Sequence, residues 1–164
     1  DVLPARFTDK DLGHEMAFFK GEADMGNKDY VQAAAHYSAA ITARPNGSFV
    51  PHAYLGLGIA QAAMAQDQEA EKNFNEALKF DSELKVAMRA RFEIANLRLK
   101  AQDLENAAKS FMMVAILYDD AKYTPPSLYK AGECYRALGR IDDAVNAFTE
   151  LKNKYPDSEW TEKI

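Results

Sequence analysis

Apolar residues recur along this chain at the three- and four-residue spacing of amphipathic helices, and the helical runs come in pairs. The first run begins near Asp9, where Thr8 followed by Asp11 resembles a capping box, and passes through His14 to a break at Gly26-Asn27-Lys28-Asp29. Tyr30 opens its partner, in which Ala33, Ala34, Tyr37, Ala40 and Ile41 share a stripe, and Pro45-Asn46-Gly47 stops it. A second pair covers 52–65 and 68–80, parted at Gln66-Asp67, with Pro51 suited to a first-turn position. The third runs from about Val86 to Ala101 and from about Leu104 to Tyr118, across a break at 101–103 that has no glycine. The fourth follows Thr124, read as an N-cap before Pro125 and Pro126, breaks at Leu138-Gly139-Arg140 and ends at Pro156. Asp157-Ser158 then reads as the start of a further helix. Such short breaks predict antiparallel helical hairpins.

The pairs are copies of one another. Gly132, Ala144, Phe148 and Pro156 mark the last; stepping back 37 positions gives Ala95, Ala107, Phe111 and Asp119, then Gly58, Ala70, Phe74 and Ser82, then Gly21, Ala33, Tyr37 and Pro45. Small residues hold the first two marks and an aromatic the third every time, so the fold class is all-α, built from four repeated helix-turn-helix units. A glycine inside a helix costs about 1 kcal/mol against alanine. The expected compensation is close packing, with the alanine of the paired helix opposite the glycine and the aromatic filling the junction with the next unit.

Composition narrows the function. The 164 residues are 48% hydrophobic and 27% charged, as in a folded globular protein, and the net charge of -5 offers no basic face for nucleic acid. The single cysteine, Cys134, excludes an internal disulfide or a cysteine-based metal cluster and reads as a small core hydrophobe. No apolar run reaches the 18 residues of a membrane span. The chain opens on Asp1, not methionine, so the expectation is a processed or excised segment, one from which a signal peptide or lipid anchor could have been lost.

Catalytic chemistry finds no foothold. His14-Glu15 begins like a zinc-protease motif, but Phe18 stands where the second histidine is needed, and His36 and His52 are isolated. There is no nucleophile–base constellation and no phosphate-binding glycine loop. Asp119-Asp120 and Asp142-Asp143 fall at loops or helix starts, where the helix dipole accounts for them. The reading is a non-enzyme with no metal and no cofactor. Arg89, Arg91, Arg98 and Lys100 form the main basic concentration, a face for an acidic segment unless their stems merely cover apolar neighbours.

At its repeated marks the chain resembles the tetratricopeptide repeat family. The small-residue pairs Lys20-Gly21, Leu57-Gly58, Ile94-Ala95 and Ala131-Gly132 carry the resemblance, with Ala40, Ala77, Val114 and Leu151 at the later apolar position. It divides the chain into a lead-in at 1–13, units at about 14–47, 51–84, 88–121 and 125–158, and a truncated helix start at 159–164. Lys20, Arg91 and Arg98 depart from the family pattern, and the 37-residue period implies longer connections near 48–50, 85–87 and 122–124.

The resemblance implies an α-α superhelix whose first helices line a concave groove, acting as a noncatalytic scaffold for a peptide or helix. Carried over unit by unit, the groove is Glu15, Phe18, Glu22 and Met25; His52, Leu55, Ile59 and Ala62; Arg89, Phe92, Asn96 and Leu99; and Tyr129, Glu133 and Arg136. Its centre is apolar, which disfavours the basic clamp that some family members use on chaperone tails. The apolar members can equally fill a narrow superhelix. The last unit is similar to repeats of bacterial envelope proteins, which favours periplasm or envelope over cytoplasm. The partner is a protein or peptide, with no nucleic acid; the alternatives are a self-assembly module or a regulatory domain of a larger envelope protein.

Overall fold

The computed structural model describes residues 9–80 and 83–164. Eight helices and no strand occur among the described residues: α1 (Asp9–Gly26), α2 (Tyr30–Ala43), α3 (Val50–Ala63), α4 (Asp67–Ala77), α5 (Leu84–Lys100), α6 (Leu104–Leu117), α7 (Thr124–Ala137) and α8 (Ile141–Lys154). They form two compact units, 1–87 and 88–164. In the first, α1 packs on α2, α2 on α3 and α3 on α4; in the second, α6 packs on α7 and α7 on α8. Thr8, on which the capping-box reading rests, lies outside the described residues.

Each hairpin turns in the same way. Lys28, Ala65, Gln102 and Gly139 have φ of 61°, 60°, 61° and 73°, and they stand 37 residues apart. At each, two backbone bonds close a Schellman motif. In the first turn Lys28 N–H reaches Met25 O at 3.1 Å and Asp29 N–H reaches Asp24 O at 2.9 Å; in the last, Gly139 N–H reaches Arg136 O at 3.1 Å and Arg140 N–H reaches Tyr135 O at 2.9 Å. The glycine-free break at 101–103 is therefore the same turn, with Gln102 in the left-handed position. Asp29 and Asp103 then cap α2 and α6, accepting from Gln32 N–H at 3.2 Å and Asn106 N–H at 3.4 Å.

The predicted packing of small residues needs a correction. The glycines face aromatic rings, not alanines. A Cβ on Gly21 would lie 2.8 Å from the Tyr37 ring, one on Gly58 2.5 Å from Phe74, and one on Gly132 2.4 Å from Phe148. The alanines Ala33, Ala70, Ala107 and Ala144 are buried beside these contacts. Tyr37 also meets Gly56 of the following hairpin, where a Cβ would stand 2.5 Å from its ring, so this aromatic does fill a junction between hairpins. The third hairpin carries Ala95 where the others carry glycine, in one core with Phe111.

A polar tie repeats as well. His36 donates to Asp24 across 2.6 Å, Asn73 to Gln61 across 2.7 Å, and Arg98 to Ser110 across 2.5 Å. The three pairs occupy equivalent positions, so Arg98 is the third version of a link between the helices of a hairpin. Arg91 likewise turns to α6, donating to Tyr118 Oη at 3.3 Å and contacting Met113 S at 3.3 Å. These two arginines thus serve the α5–α6 hairpin, and the basic face read from the sequence loses half its members.

Two boundary readings also change. Thr124 is the first residue of α7 and Tyr123 its N-cap. The Thr124 hydroxyl donates to Tyr118 O at 2.7 Å and accepts from Asp120 N–H at 3.1 Å, which fastens the connection from α6. Residues 157–163 form turns and a bend. Their Thr161 hydroxyl donates to Tyr155 O at 2.6 Å, and Trp160 packs with Leu128, Tyr129 and Leu151. Breaks between hairpins fall at 44–49 and 118–123, and α5 starts at Leu84, so residues 85–87, expected in a connection, belong to α5.

Candidate interaction site

Within the second unit, α5, α6 and α7 leave a pocket of about 290 Å³. Leu99 comes from the last turn of α5, Leu104 from the first residue of α6, and Tyr129, Lys130, Glu133, Cys134 and Ala137 from one side of α7. The helical spacing of 130, 133, 134 and 137 is what brings those four onto one stripe. Burial of the Cys134 thiol, which is 1% exposed, pushes its pKa up, which favours the neutral thiol as part of the apolar wall.

Polar groups gather at the rim. Lys130 Nζ donates to Asn96 Oδ1 at 2.6 Å and lies 5.0 Å from the Phe92 ring centre and 5.4 Å from that of Phe111. Asn96 in turn donates to Glu93 Oε2 at 3.3 Å. Burial holds the Lys130 pKa below its ordinary value, with Glu93 opposing the shift. Glu133 pairs with Arg136 at 2.7 Å. Tyr129 is steadied from behind by Phe148 and Trp160, at ring-centre distances of 6.1 and 5.3 Å.

The residues assigned to a groove divide accordingly. Leu99, Tyr129 and Glu133 line the pocket; Asn96 and Arg136 bond to its rim, and Phe92 underlies Lys130 while meeting Phe111 and Tyr123 edge-on. Arg89 is exposed. In the first unit, Phe18 is 6% exposed and stacks on Phe49 with ring centres 4.8 Å apart, and Leu55 is 7% exposed. Both belong to the core, which is the filling role that the sequence left open. Met25 packs against that core, Ile59 is half-buried, and exposed Glu22 accepts from Tyr37 Oη at 2.5 Å.

The groove assignment from sequence left out Leu104, Lys130, Cys134 and Ala137. Lys130 was visible as a charge beside the buried Ala131-Gly132 pair, and Leu104 stands on a second helix, which a groove defined on first helices leaves out. His14 is a packing histidine: it is 1% exposed, and its Nδ1–H donates to Ala40 O at 2.7 Å near the end of α2. A Cβ on Gly47 would lie 2.4 Å from its Nε2. Among the described residues, no three His, Cys, Asp or Glu side chains stand together as a metal site, and no helix is long and apolar enough to cross a membrane.

Hairpins that repeat one turn, one ring-on-glycine contact and one polar tie define a helical repeat protein of the solenoid class. Residues 127–158 match the family model described as Tetratricopeptide repeat, and the chain as a whole has the fold of tetratricopeptide repeat proteins. A tetratricopeptide repeat protein from Parabacteroides merdae is similar over 93% of this chain and 57% of its own, with TM-score 0.80 and 19% identity. PilW, a widely conserved type IV pilus biogenesis factor, is similar over 94% and 66%, with TM-score 0.71 and 19% identity. PilF of Pseudomonas aeruginosa follows over 92% and 64%, with TM-score 0.66 and 18% identity. The chain thus spans between 57% and 66% of these three structures. No curated protein matches it.

Proposed function

We propose that the chain is a noncatalytic protein-interaction module which holds a peptide or helical segment of a partner against α5 and α7, with one apolar side chain entering the pocket. The observation that carries this is the convergence of Leu99, Tyr129 and Glu133, three positions assigned to a groove, on a single cavity. The likeness to PilW, a type IV pilus biogenesis factor, supports placing the module in the bacterial cell envelope.

Selection of a displayed random-peptide library on the purified chain tests the reading. Enriched peptides should share a large apolar anchor and lose at least tenfold in affinity for Ala137→Trp, which fills the pocket from an exposed position while sparing the core. Peptides that bind this variant as tightly as the wild type would place the partner elsewhere. Leu55→Lys would be a poor probe, because a charge at that buried site tests folding instead of binding.

A second reading, self-assembly, draws on one feature. Leu12, Met16 and Phe19 are 50%, 56% and 56% exposed and follow one another at helical spacing on α1. Sedimentation of the wild type beside Met16→Glu decides it: a dimer that dissociates in the variant supports assembly through α1, and a wild-type monomer at high concentration excludes it.

A further inference from the structure

Lys130 is partly removed from water, and among the described residues no carboxylate is in contact with it. An ammonium carries three donors, and among the described residues Nζ donates to Asn96 alone, a neutral amide. The acids nearby are committed to other groups: Glu93 accepts from Asn96, and Glu133 is paired with Arg136. The Phe92 and Phe111 ring faces support the cation from below. Removing one charge from water with no opposite charge in contact is unfavourable, and burial does depress the pKa of this amine. The charge stands at the rim of a pocket lined by Leu99, Leu104 and Ala137 among others.

We infer that the pocket selects a peptide in which a large apolar side chain is followed by aspartate or glutamate, the apolar group seated on Leu99 and Leu104 and the carboxylate accepting from Lys130 Nζ. This rests on the interaction reading above and adds the chemistry of its partner. A carboxylate would replace lost hydration with a charge-assisted hydrogen bond. An acidic side chain within a segment fits better than a chain terminus. Polar groups continue on both sides of the pocket, Glu93 and Asn96 along α5 and Glu133 with Arg136 along α7, which suits a chain passing through.

The test uses end-blocked nine-residue peptides of serine and glycine with a central phenylalanine followed by aspartate, asparagine or lysine. A fourth peptide ends in phenylalanine with a free carboxylate. Fluorescence anisotropy should show the aspartate peptide binding about tenfold tighter than the asparagine one, with the lysine peptide weakest. The preference should vanish in Lys130→Met and in Lys130→Gln, the second variant guarding against a folding defect in the first. Equal affinity for aspartate and asparagine peptides would overturn the inference and leave the apolar pocket standing. So would a preference that survives both substitutions, or tightest binding by the free-carboxylate peptide. Binding of none of the four would overturn both this inference and the reading it rests on.

Discussion

At Gly58 a methyl group would stand 2.5 Å from Phe74, a fully buried ring, whereas at Gly132 the opposing ring, Phe148, is only half-buried and has room to swing. Overpacking costs about 1–3 kcal/mol, against a helix-propensity gain of about 1 kcal/mol for alanine over glycine. Gly58→Ala should therefore lower the melting temperature by several degrees, and Gly132→Ala by clearly less; the reverse order in thermal denaturation would refute the ring-on-glycine account. Lys130 gives a prediction in pH. Its folded pKa lies below the ordinary 10.5, so between the two values the unfolded chain binds more protons and stability rises with pH. Lys130→Met should melt at or above wild type at pH 7, and the difference should move in favour of wild type as pH approaches 10.5. Melting curves of the two proteins across that range check the sign.

For the helices, the recurring turn matters more than any one contact. Lys28, Ala65 and Gln102 hold the left-handed position that Gly139 holds in the last hairpin. That conformation costs an L-residue roughly 1–2 kcal/mol, partly offset by the extra chain entropy that glycine loses, roughly 0.5–1 kcal/mol. Ala65→Gly should stabilise the chain by about 0.5–1 kcal/mol and Gly139→Ala should destabilise it by a similar amount, measured by urea denaturation. This turn also shows where sequence reading stops. The helices and their pairing were legible because apolar spacing and the marks at Gly58, Ala70 and Phe74 recur. The break at 101–103 was legible too, but the left-handed turn at Gln102 was not, since glutamine carries no left-handed preference and only the backbone bonds around it reveal the motif. The tie between Arg98 and Ser110 was hidden for a related reason: His36–Asp24, Asn73–Gln61 and Arg98–Ser110 conserve a geometry without conserving a residue type. Phe18 and Leu55 looked like binding positions because periodicity reports a face, and a face turned toward a groove and one turned toward a core are spelled alike.

On the scale of the whole molecule, a chain of like hairpins differs along its length mainly in what it leaves exposed. The first unit buries Phe18 and Leu55 and holds α1 to α2 through His14, while the second keeps a cavity beside a partly desolvated lysine. Three of the seven lining residues were therefore readable, Leu99, Tyr129 and Glu133, because first-helix spacing places them together. The part played by Leu104, Lys130, Cys134 and Ala137 depends on how neighbouring helices meet. The central claim is that a partner side chain enters between α5 and α7. Methyl and aromatic NMR of the chain titrated with a library-selected peptide tests it most directly. The account predicts the largest shift changes at Leu99, Leu104, Tyr129 and Ala137; the largest changes at Leu12, Met16 and Phe19 of α1, with the pocket signals unmoved, would contradict it.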